Sequence, residues 1–261
     1  MTGRVVLLER LPDEQIAVLT FDRPPLNAID EQVVTELAEV TAELAGDDGT
    51  RAVLVRSALE GVFMAGADIT EFERIAEGGI DRALLAQQVF TGFAELPQPT
   101  VAAVNGHALG GGLELALACD FRFVGRVDGA LVGLPEVRLG LLPGAGGTQR
   151  LTSLVGPARA TELIMKGIQL SPEEAAADGI VHFLVEPEEL EPKAREYAVR
   201  LARQAPIALR GIKRAIRAAS LGGADGLSVE AEAFKEVLAS EDAQTGVRAF
   251  LEGEKPTFSG R

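Results

Sequence analysis

The chain has 261 residues, of which 47% are hydrophobic and 29 are glycine, and its formal net charge is −14 at pH 7. Such a chain has enough apolar residues for a sizeable core, and its negative charge argues against nucleic acid or an anionic membrane as a partner. The single cysteine, Cys119, excludes an intrachain disulfide, and the lack of a long apolar run predicts a soluble cytoplasmic protein.

The N-terminal part of the sequence predicts a hairpin followed by a helix and a strand. Residues 5–8 and 16–21 have the composition of two short strands. Asp30 is a suitable N-cap for a helix that ends near Gly46. The apolar positions of this helix recur on one face; they are Val33, Val34, Leu37, Val40 and Leu44. Residues 52–55 form an apolar run typical of a strand covered on both faces.

This alternation continues through the middle of the chain. Residues 61–68 predict a loop of small residues, and residues 81–93 predict a helix. Residues 101–104 predict a buried strand that leads directly into three consecutive glycines. Residues 121–124 and 130–132 are further strand candidates.

The C-terminal part becomes mostly helical after residue 156. Ser171-Pro172-Glu173-Glu174 predicts a helix start with a capping box, and Ser240 predicts the start of the last helix. We therefore divide the chain into an α/β core with the active site, residues 1–200, and a helical region, residues 201–261. Its short, apolar-striped helices need a partner surface.

The glycine triplet Gly110-Gly111-Gly112 opens an apolar helical run that carries one carboxylate, Glu114. Glycine lets a ligand approach backbone N–H groups closely. The first N–H groups of a helix have no acceptor inside the helix, and the helix dipole makes the potential around them positive. They can therefore stabilise an oxyanion. The alternative is a close-packed turn whose glutamate caps a helix or forms a salt bridge.

Several better-known motifs are missing. The second glycine-rich turn, residues 143–148, has neither the third glycine of a dinucleotide-binding fingerprint nor the lysine of a P-loop. The two histidines, His107 and His182, do not form a metal-binding pattern with the cysteine. The remaining pattern is a pair of carboxylates near glycine-rich turns, Glu114 and Glu136, which suits proton transfer in two directions.

Three blocks of sequence then resemble one known family. They are Met-Ala-Gly-Ala-Asp-Ile at residues 64–69, Ala-Val-Asn-Gly-His-Ala-Leu-Gly-Gly-Gly-Leu-Glu-Leu-Ala at residues 103–116, and Leu-Pro-Glu at residues 134–136 with Pro-Gly-Ala-Gly-Gly-Thr-Gln-Arg-Leu at residues 143–151. In this order they resemble the signature blocks of the crotonase superfamily, and specifically those of enoyl-CoA hydratase.

The resemblance implies an α/β fold, a crotonase-like spiral of ββα units with a C-terminal helical oligomerisation region. It implies a homotrimer or homohexamer and an acyl-CoA thioester substrate. The implied reaction is the reversible addition of water to a trans-2-enoyl-CoA, giving a 3-hydroxyacyl-CoA, in fatty-acid β-oxidation or related acyl-CoA degradation. We expect no metal or redox cofactor, since coenzyme A enters as part of the substrate.

The resemblance also assigns roles to individual residues. The thioester oxygen would be held by the backbone N–H groups of Ala67 and Gly111, and Glu114 and Glu136 would transfer protons. The N–H of Gly144 would help to order the reacting water. Residues expected to contact the substrate or its coenzyme A are Ala28, Ala65, Gly66, Asp68, Ile69, Thr70, Gly110, Lys255 and Phe258. Thr70 stands where many family members have lysine, so one phosphate contact is in doubt.

Two other functions stay open at this stage. One is another crotonase reaction, chiefly Δ3,Δ2-enoyl-CoA isomerisation, which can proceed with a single carboxylate. The other is a non-catalytic or RNA-binding member of the superfamily. Retention of both glutamates favours hydration over the first alternative. The sequence shows neither the basic patch nor the lost glutamate that would favour the second.

Overall fold

A computed structural model describes residues 3–68, 80–220 and 225–261. The strands are β1 (Val6–Leu11), β2 (Ile16–Phe21), β3 (Ala52–Ser57), β4 (Gly61–Met64), β5 (Thr100–Val104), β6 (Gly106–Leu109), β7 (Phe121–Gly125), β8 (Val132–Gly133), β9 (Gln169–Leu170) and β10 (Phe183–Val185). The helices are α1 (Glu31–Ala45), α2 (Ile80–Ala94), α3 (Gly111–Ala118), α4 (Gly147–Met165), α5 (Pro172–Ala177), α6 (Pro187–Ala202), α7 (Pro206–Ser220), α8 (Gly226–Leu238) and α9 (Glu241–Glu252), with a 3₁₀ helix at Glu136–Leu139.

The larger sheet has six strands in the order β1-β2-β3-β5-β7-β10. β1 and β2 form the predicted antiparallel hairpin, and the other neighbouring strands pair in parallel. Successive side chains of a strand point to opposite faces, and here both faces are covered. Ile16, Val18 and Leu54 pack with α6, whereas Ala17, Leu19 and Val53 join the main core. The prediction of a strand covered on both faces is confirmed.

Helix α1 forms as its sequence predicts. The Asp30 side chain accepts a hydrogen bond from the Val33 N–H at 2.9 Å, and Gly46 is the C-cap. The buried positions are the five apolar residues that the helical spacing singles out. The capping box at Ser171 and Glu174 and the Ser240 N-cap are also present.

The smaller sheet contains β4, β6, β8 and β9 in that order. β4, β6 and β8 are parallel, and β9 is antiparallel to β8. Because the carboxyl ends of parallel strands meet at one edge of a sheet, the segments that follow β4, β6 and β8 converge there. These segments are residues 65–68, 110–112 and 134–136.

The sequence prediction was wrong at two places in this sheet. Residues 61–64 are strand β4 rather than loop, and β6 separates the buried strand β5 from the glycine triplet. Both strands are only four residues long and contain glycine, so neither has the β-branched composition that identifies a strand. Pairing with each other and with β8 specifies them instead.

The helical C-terminal region begins close to the predicted boundary. Residue 200 lies inside α6, which ends at Ala202 and packs on the larger sheet through Leu190, Ala194 and Ala198. The division of the chain at residue 200 stays a prediction. Among the described residues, no helix has both the length and the apolar character that crossing a membrane requires.

Gly112 supports a test of how closely α3 packs on β4. A Cβ at Gly112 would lie 2.0 Å from the Met64 carbonyl oxygen, whereas a Cβ at Gly111 would meet only the flexible end of Ile29, at 2.4 Å from Cδ1. We expect Gly112→Ala to lower the free energy of unfolding by about 1–3 kcal/mol, as overpacking does. Gly111→Ala, the control, should cost less. Chemical denaturation of both variants measures the difference, and equal losses would contradict this packing.

Candidate active site

The three converging segments surround one cavity of about 530 Å³. Its lining includes Ala65, Gly66, Ala67 and Asp68 after β4, Gly110 and Gly111 after β6, Pro135 and Glu136 after β8, and Glu114 from α3. Residues far apart in sequence therefore face a common space, and both carboxylates of the predicted pair are among them.

Two glycine backbones bring the predicted oxyanion donors together. Gly66 and Gly110 have φ values of +100° and +53°, which favour glycine. A Cβ on Gly110 would lie only 3.7 Å from the Gly66 Cα. This close approach places Ala67 beside Gly111, the first residue of α3, at the cavity wall.

The N–H groups of Ala67 and Gly111 are free to point at a ligand. Ala67 is bridged to Ile29, but that bridge uses the Gly66 carbonyl and the Asp68 N–H. In a parallel bridge, the N–H of the central residue points to the opposite side. Gly111 is the first residue of α3, so its N–H has no acceptor within the helix. Both residues line the cavity, and the assignment of their N–H groups as oxyanion donors stays a prediction.

Glu114 is held in a fixed orientation inside the buried helix α3. Its exposed fraction is 3%, and its Oε1 accepts hydrogen bonds from the N–H groups of Ala145 at 2.7 Å and Gly147 at 2.8 Å. Burial raises the pKa of Glu114 above its ordinary value, against the opposing effect of the Gly147 and Ala145 N–H groups and the Arg150 charge. Oε2 is left for a ligand.

The turn that binds Glu114 is the second glycine-rich segment of the sequence. It connects the exposed Leu142 to α4, and Gly144 lines the cavity. Arg150 of α4 holds the turn in place, because its Nη1 donates to the Ala145 carbonyl at 2.7 Å. The sequence identified this turn, but the pairing of its N–H groups with Glu114 depends on tertiary contacts.

Glu136 has a different environment from Glu114. It begins an exposed 3₁₀ helix, and its Oε2 is buried without a hydrogen-bond partner among the described residues. Its Oε1 lies 3.1 Å from the position that a Gly110 Cβ would occupy, so Glu136 faces the segment that follows β6. Burial raises the pKa of Glu136 to about 7; its own backbone N–H opposes this shift, and the charge of Glu114 adds to it.

The two carboxyl groups differ in what opposes the effect of burial. Burial raises the pKa of both groups, but two short N–H hydrogen bonds to Glu114 oppose that shift. No donor satisfies Glu136 Oε2, so the protonated form of Glu136 is populated near neutral pH. Pairs of titratable groups whose environments separate their charge states are typical of acid and base partners.

Most of the remaining cavity lining is apolar; its polar and charged members are Asp30, Glu31, Arg138 and Gln169. Leu85, Ala86 and Phe90 of α2 contribute on one side, and Leu139, Leu141 and Leu142 contribute on the other. Leu139 and Leu142 are 61% and 70% exposed, so this side opens to solvent. The sequence analysis did not identify these residues, because exposed leucines in a loop have no local pattern. An elongated apolar group could lie against this wall.

The remaining predicted contact residues fall into three groups. Ala28 is adjacent to the lining residue Ile29 but is not itself among the described lining residues, and its carbonyl accepts from Arg23. Ile69 and Thr70 lie outside the described residues. Lys255 is exposed, and Phe258 packs beside Gly246 of α9. Neither Lys255 nor Phe258 lines the cavity of its own chain.

His107 and His182 have local structural partners. His107 Nδ1 accepts from the Leu131 N–H, and His182 Nδ1 accepts from the Arg122 N–H. His107 is therefore a backbone-bonded histidine. Within the described part of the chain, no three His, Cys, Asp or Glu side chains group closely enough to hold a metal ion.

Comparison with known proteins identifies the family. The family described as enoyl-CoA hydratase/isomerase matches residues 12–261. This chain belongs to the enoyl-CoA hydratase/isomerase family. Its membership confirms the resemblance on which the site residues were chosen.

Relatives in this family match along almost their entire length. The chain is 39% identical to the short-chain-enoyl-CoA hydratase of Clostridium acetobutylicum, over 96% of this chain and 95% of that protein. It is 36% identical to the crotonyl-CoA hydratase of Syntrophomonas wolfei, over 97% of each. The crystal structure of an enoyl-CoA hydratase from Bacillus anthracis superposes with a TM-score of 0.91 at 35% identity, covering 98% of this chain and 100% of that one. The fold class is confirmed.

Glu136 makes the stability of the protein depend on pH. Its pKa is about 7 in the folded protein and near 4.5 when unfolded, so the folded state binds more protons between these values and stability falls as pH rises through this range. Glu136→Gln removes this effect. We expect its melting temperature to exceed that of the wild type by more at pH 8 than at pH 5.5.

Glu252→Gln is the matched control, because Glu252 is exposed at the end of α9. Differential scanning fluorimetry at both pH values compares the variants. If Glu136→Gln shifts the melting temperature equally at the two pH values, the carboxyl group does not have a raised pKa in the folded protein.

Proposed function

We propose that this protein is an enoyl-CoA hydratase, which adds water across the double bond of a trans-2-enoyl-CoA to give a 3-hydroxyacyl-CoA. The observation that carries the proposal is the placement of two differently solvated carboxyl groups, Glu114 and Glu136, around one cavity with two backbone N–H donors. The names of the relatives in the enoyl-CoA hydratase/isomerase family support it.

The proposed reaction begins with polarisation of the thioester. As water attacks C3, negative charge grows on the carbonyl oxygen. The N–H groups of Ala67 and Gly111 would stabilise that charge more than they stabilise the ground-state carbonyl, which lowers the barrier. The helix dipole of α3 contributes in the same direction, since Gly111 is its first residue.

Two proton transfers complete the reaction. Glu114 accepts a proton from the attacking water through Oε2, because Oε1 is already bonded to Ala145 and Gly147. Glu136 donates a proton to C2. The water oxygen is then bonded to C3, Glu114 is protonated and Glu136 is ionised; exchange with solvent restores both. The N–H of Gly144 would help to order the attacking water, and the proposed steps require no metal or redox cofactor.

The coenzyme A portion would follow the segment after β4. Ala65, Gly66 and Asp68 line the cavity together with Asp30. Further proposed contacts to coenzyme A are those of Ala28, Gly110, Ile69 and Thr70. Lys255 and Phe258 lie away from their own cavity, so any contact they make with coenzyme A would be to that of a neighbouring subunit.

Substitution of each glutamate tests the proposed proton transfers. We expect Glu114→Gln and Glu136→Gln each to lower kcat for crotonyl-CoA hydration by about 10²–10⁴, because each variant keeps its polarity but loses general acid–base function. The kcat of the double variant should be only slightly lower than that of the less active single variant, since either substitution disables the same concerted step. Loss of the conjugated thioester absorbance follows the reaction.

Control measurements separate catalysis from structure and hydration from isomerisation. Circular dichroism establishes that each variant is folded, and near-normal turnover per folded molecule would assign the glutamates a structural role. In D₂O, the 3-hydroxy product should carry deuterium at C2. A wild-type protein that moves a 3-enoyl double bond into conjugation, but hydrates no enoyl-CoA, would overturn the hydratase proposal in favour of the isomerase.

Gly111 permits a matched test of one oxyanion donor. Gly111→Pro removes the N–H, and proline is accepted at the first position of a helix. Gly111→Ala introduces the same Cβ near Ile29 but keeps the N–H. We expect kcat of the proline variant to fall about 10²–10³ further than that of the alanine variant, measured after both are shown to bind coenzyme A. Equal kcat values would remove the Gly111 N–H from the mechanism.

The C-terminal helices support a proposed homotrimer or homohexamer. Large apolar side chains on their surfaces are exposed in the single chain; they include Leu227, Phe234, Leu238, Phe250 and Leu251 at 58–84%. Monomeric proteins rarely expose an apolar patch of this kind. An assembly that buries these side chains would remove the cost of exposing them.

Charge placed on this surface should disrupt the assembly. Phe250 is 84% exposed, so Phe250→Glu should fold as a single chain but lose its partner contacts. We expect sedimentation velocity at micromolar concentration to give a trimer or larger species for the wild type and a smaller species for the variant. A monomeric wild type would contradict the proposed oligomer.

A further inference from the structure

A second cavity, separate from the candidate active site, lies between α2, α4, α7 and α8. Its volume is about 720 Å³. We call it the Arg150 cavity, because Arg150 of α4 lines it together with four basic residues of α7. Those four are Arg210, Lys213, Arg214 and Arg217. No step of the proposed hydration uses this cavity.

The positive charge of the cavity follows from the sequence of α7. Residues three, four and seven apart lie on the same face of a helix, and α7 has basic residues at 210, 213, 214 and 217. That face turns toward α2 and α4. The five cations of the described lining are accompanied there by two carboxylates, Glu95 and Glu232. A basic cavity in a chain of net charge −14 is unusual.

Three of these cations have ionic partners from outside the lining. Asp120 accepts from Lys213 at 2.7 Å and from Arg217 at 3.3 Å, and Glu236 pairs with Arg214 at 3.1 Å. The side chain of Lys213 is only 10% exposed. These contacts hold the α7 basic face in place against the core.

The other two cations have no ion pair among the described residues. Arg150 donates one hydrogen bond, from Nη1 to the Ala145 carbonyl, which leaves Nε and Nη2 available. Burial lowers the pKa of Arg150 and the charge of Arg217 lowers it further, whereas the charges of Glu114 and Glu95 oppose that shift. Arg210 is exposed at the cavity edge.

We propose that the Arg150 cavity binds a compact polyanion with neighbouring oxyanion groups, such as a pyrophosphate or a tricarboxylate. The planar guanidinium of Arg150 presents two free donors that match a phosphate or carboxylate edge. Arg210 and Arg217 supply further charge, and Thr91 and Gln149 in the same lining supply neutral hydrogen-bonding groups.

Isothermal titration calorimetry of the intact protein tests this proposal. Inorganic pyrophosphate and citrate are titrated separately at low salt, with coenzyme A present at saturation so that the proposed acyl-CoA site is occupied. We expect one site per chain for at least one probe, weakened by added salt. The probe that binds more tightly identifies the oxyanion group as phosphate or carboxylate.

Charge substitutions place the binding site. Arg210→Gln should weaken binding of the preferred probe at least about tenfold, which is 1.4 kcal/mol, because it removes one positive charge from the cavity. The variant should fold, since Arg210 makes no ion pair among the described residues. Arg217→Gln should weaken it at least as much. Arg248→Gln on α9 removes the same charge from an exposed position outside the cavity and should leave binding unchanged.

Three results would overturn the proposal. One is the absence of binding of either probe at millimolar concentration, as expected if a neighbouring subunit fills the cavity. The second is equal weakening by Arg210→Gln and Arg248→Gln, which would indicate general charge attraction. The third is binding that appears only when coenzyme A is omitted from the titration and that Arg210→Gln retains, which would place the anion at the acyl-CoA site.

Discussion

The close approach of the Gly66 and Gly110 backbones is the constraint on which the candidate site depends. A Cβ on Gly66 would lie 3.2 Å from the Leu109 carbonyl oxygen, which is tighter than an ordinary contact, and both glycines adopt a positive φ. With both glycines in place, Ala67 and Gly111 line the same wall of the cavity. The parallel pairing of β4, β6 and β8 brings Glu136 to the same edge.

The surroundings of the two carboxyl groups explain how one cavity can hold a base and an acid. Glu114 is buried on a helix and receives two backbone hydrogen bonds, whereas Glu136 has an oxygen with no partner among the described residues. An unpaired buried polar atom destabilises the fold. Its presence here is consistent with a residue retained for its chemistry, because functional sites often carry such costs.

Much of the outer framework could be predicted from the sequence. The cap at Asp30, the apolar face of α1, the β1–β2 hairpin and the capping box at Ser171 each depend on residues close together in the chain. The glycine triplet and the two glutamates were also identified from the sequence, and the resemblance to a family then assigned their roles. Local patterns could not predict β4 and β6, whose four-residue segments become strands only by pairing with each other.

Contacts between distant segments explain the other omissions. The N–H groups that hold Glu114 come from residues 145 and 147, about thirty positions further along the chain, and nothing in the local sequence connects them. The apolar wall includes exposed leucines at 139, 141 and 142. This segment is too short and irregular for hydrophobic periodicity to identify them. The sequence analysis missed the basic residues of α7, because their convergence with Arg150 depends on the packing of α7 against α2 and α4.

The unequal embedding of the two glutamates also has an evolutionary consequence. Glu114 lies within a helix whose residues from Gly112 to Ala118 are all buried, so replacing it disturbs the core. Glu136 begins a single exposed turn in which no residue is buried, so that turn can vary in sequence and shape while Ala67 and Gly111 keep their positions. A scaffold with one fixed carboxylate and one exchangeable carboxylate can acquire new reactions on acyl thioesters by changing a short surface segment.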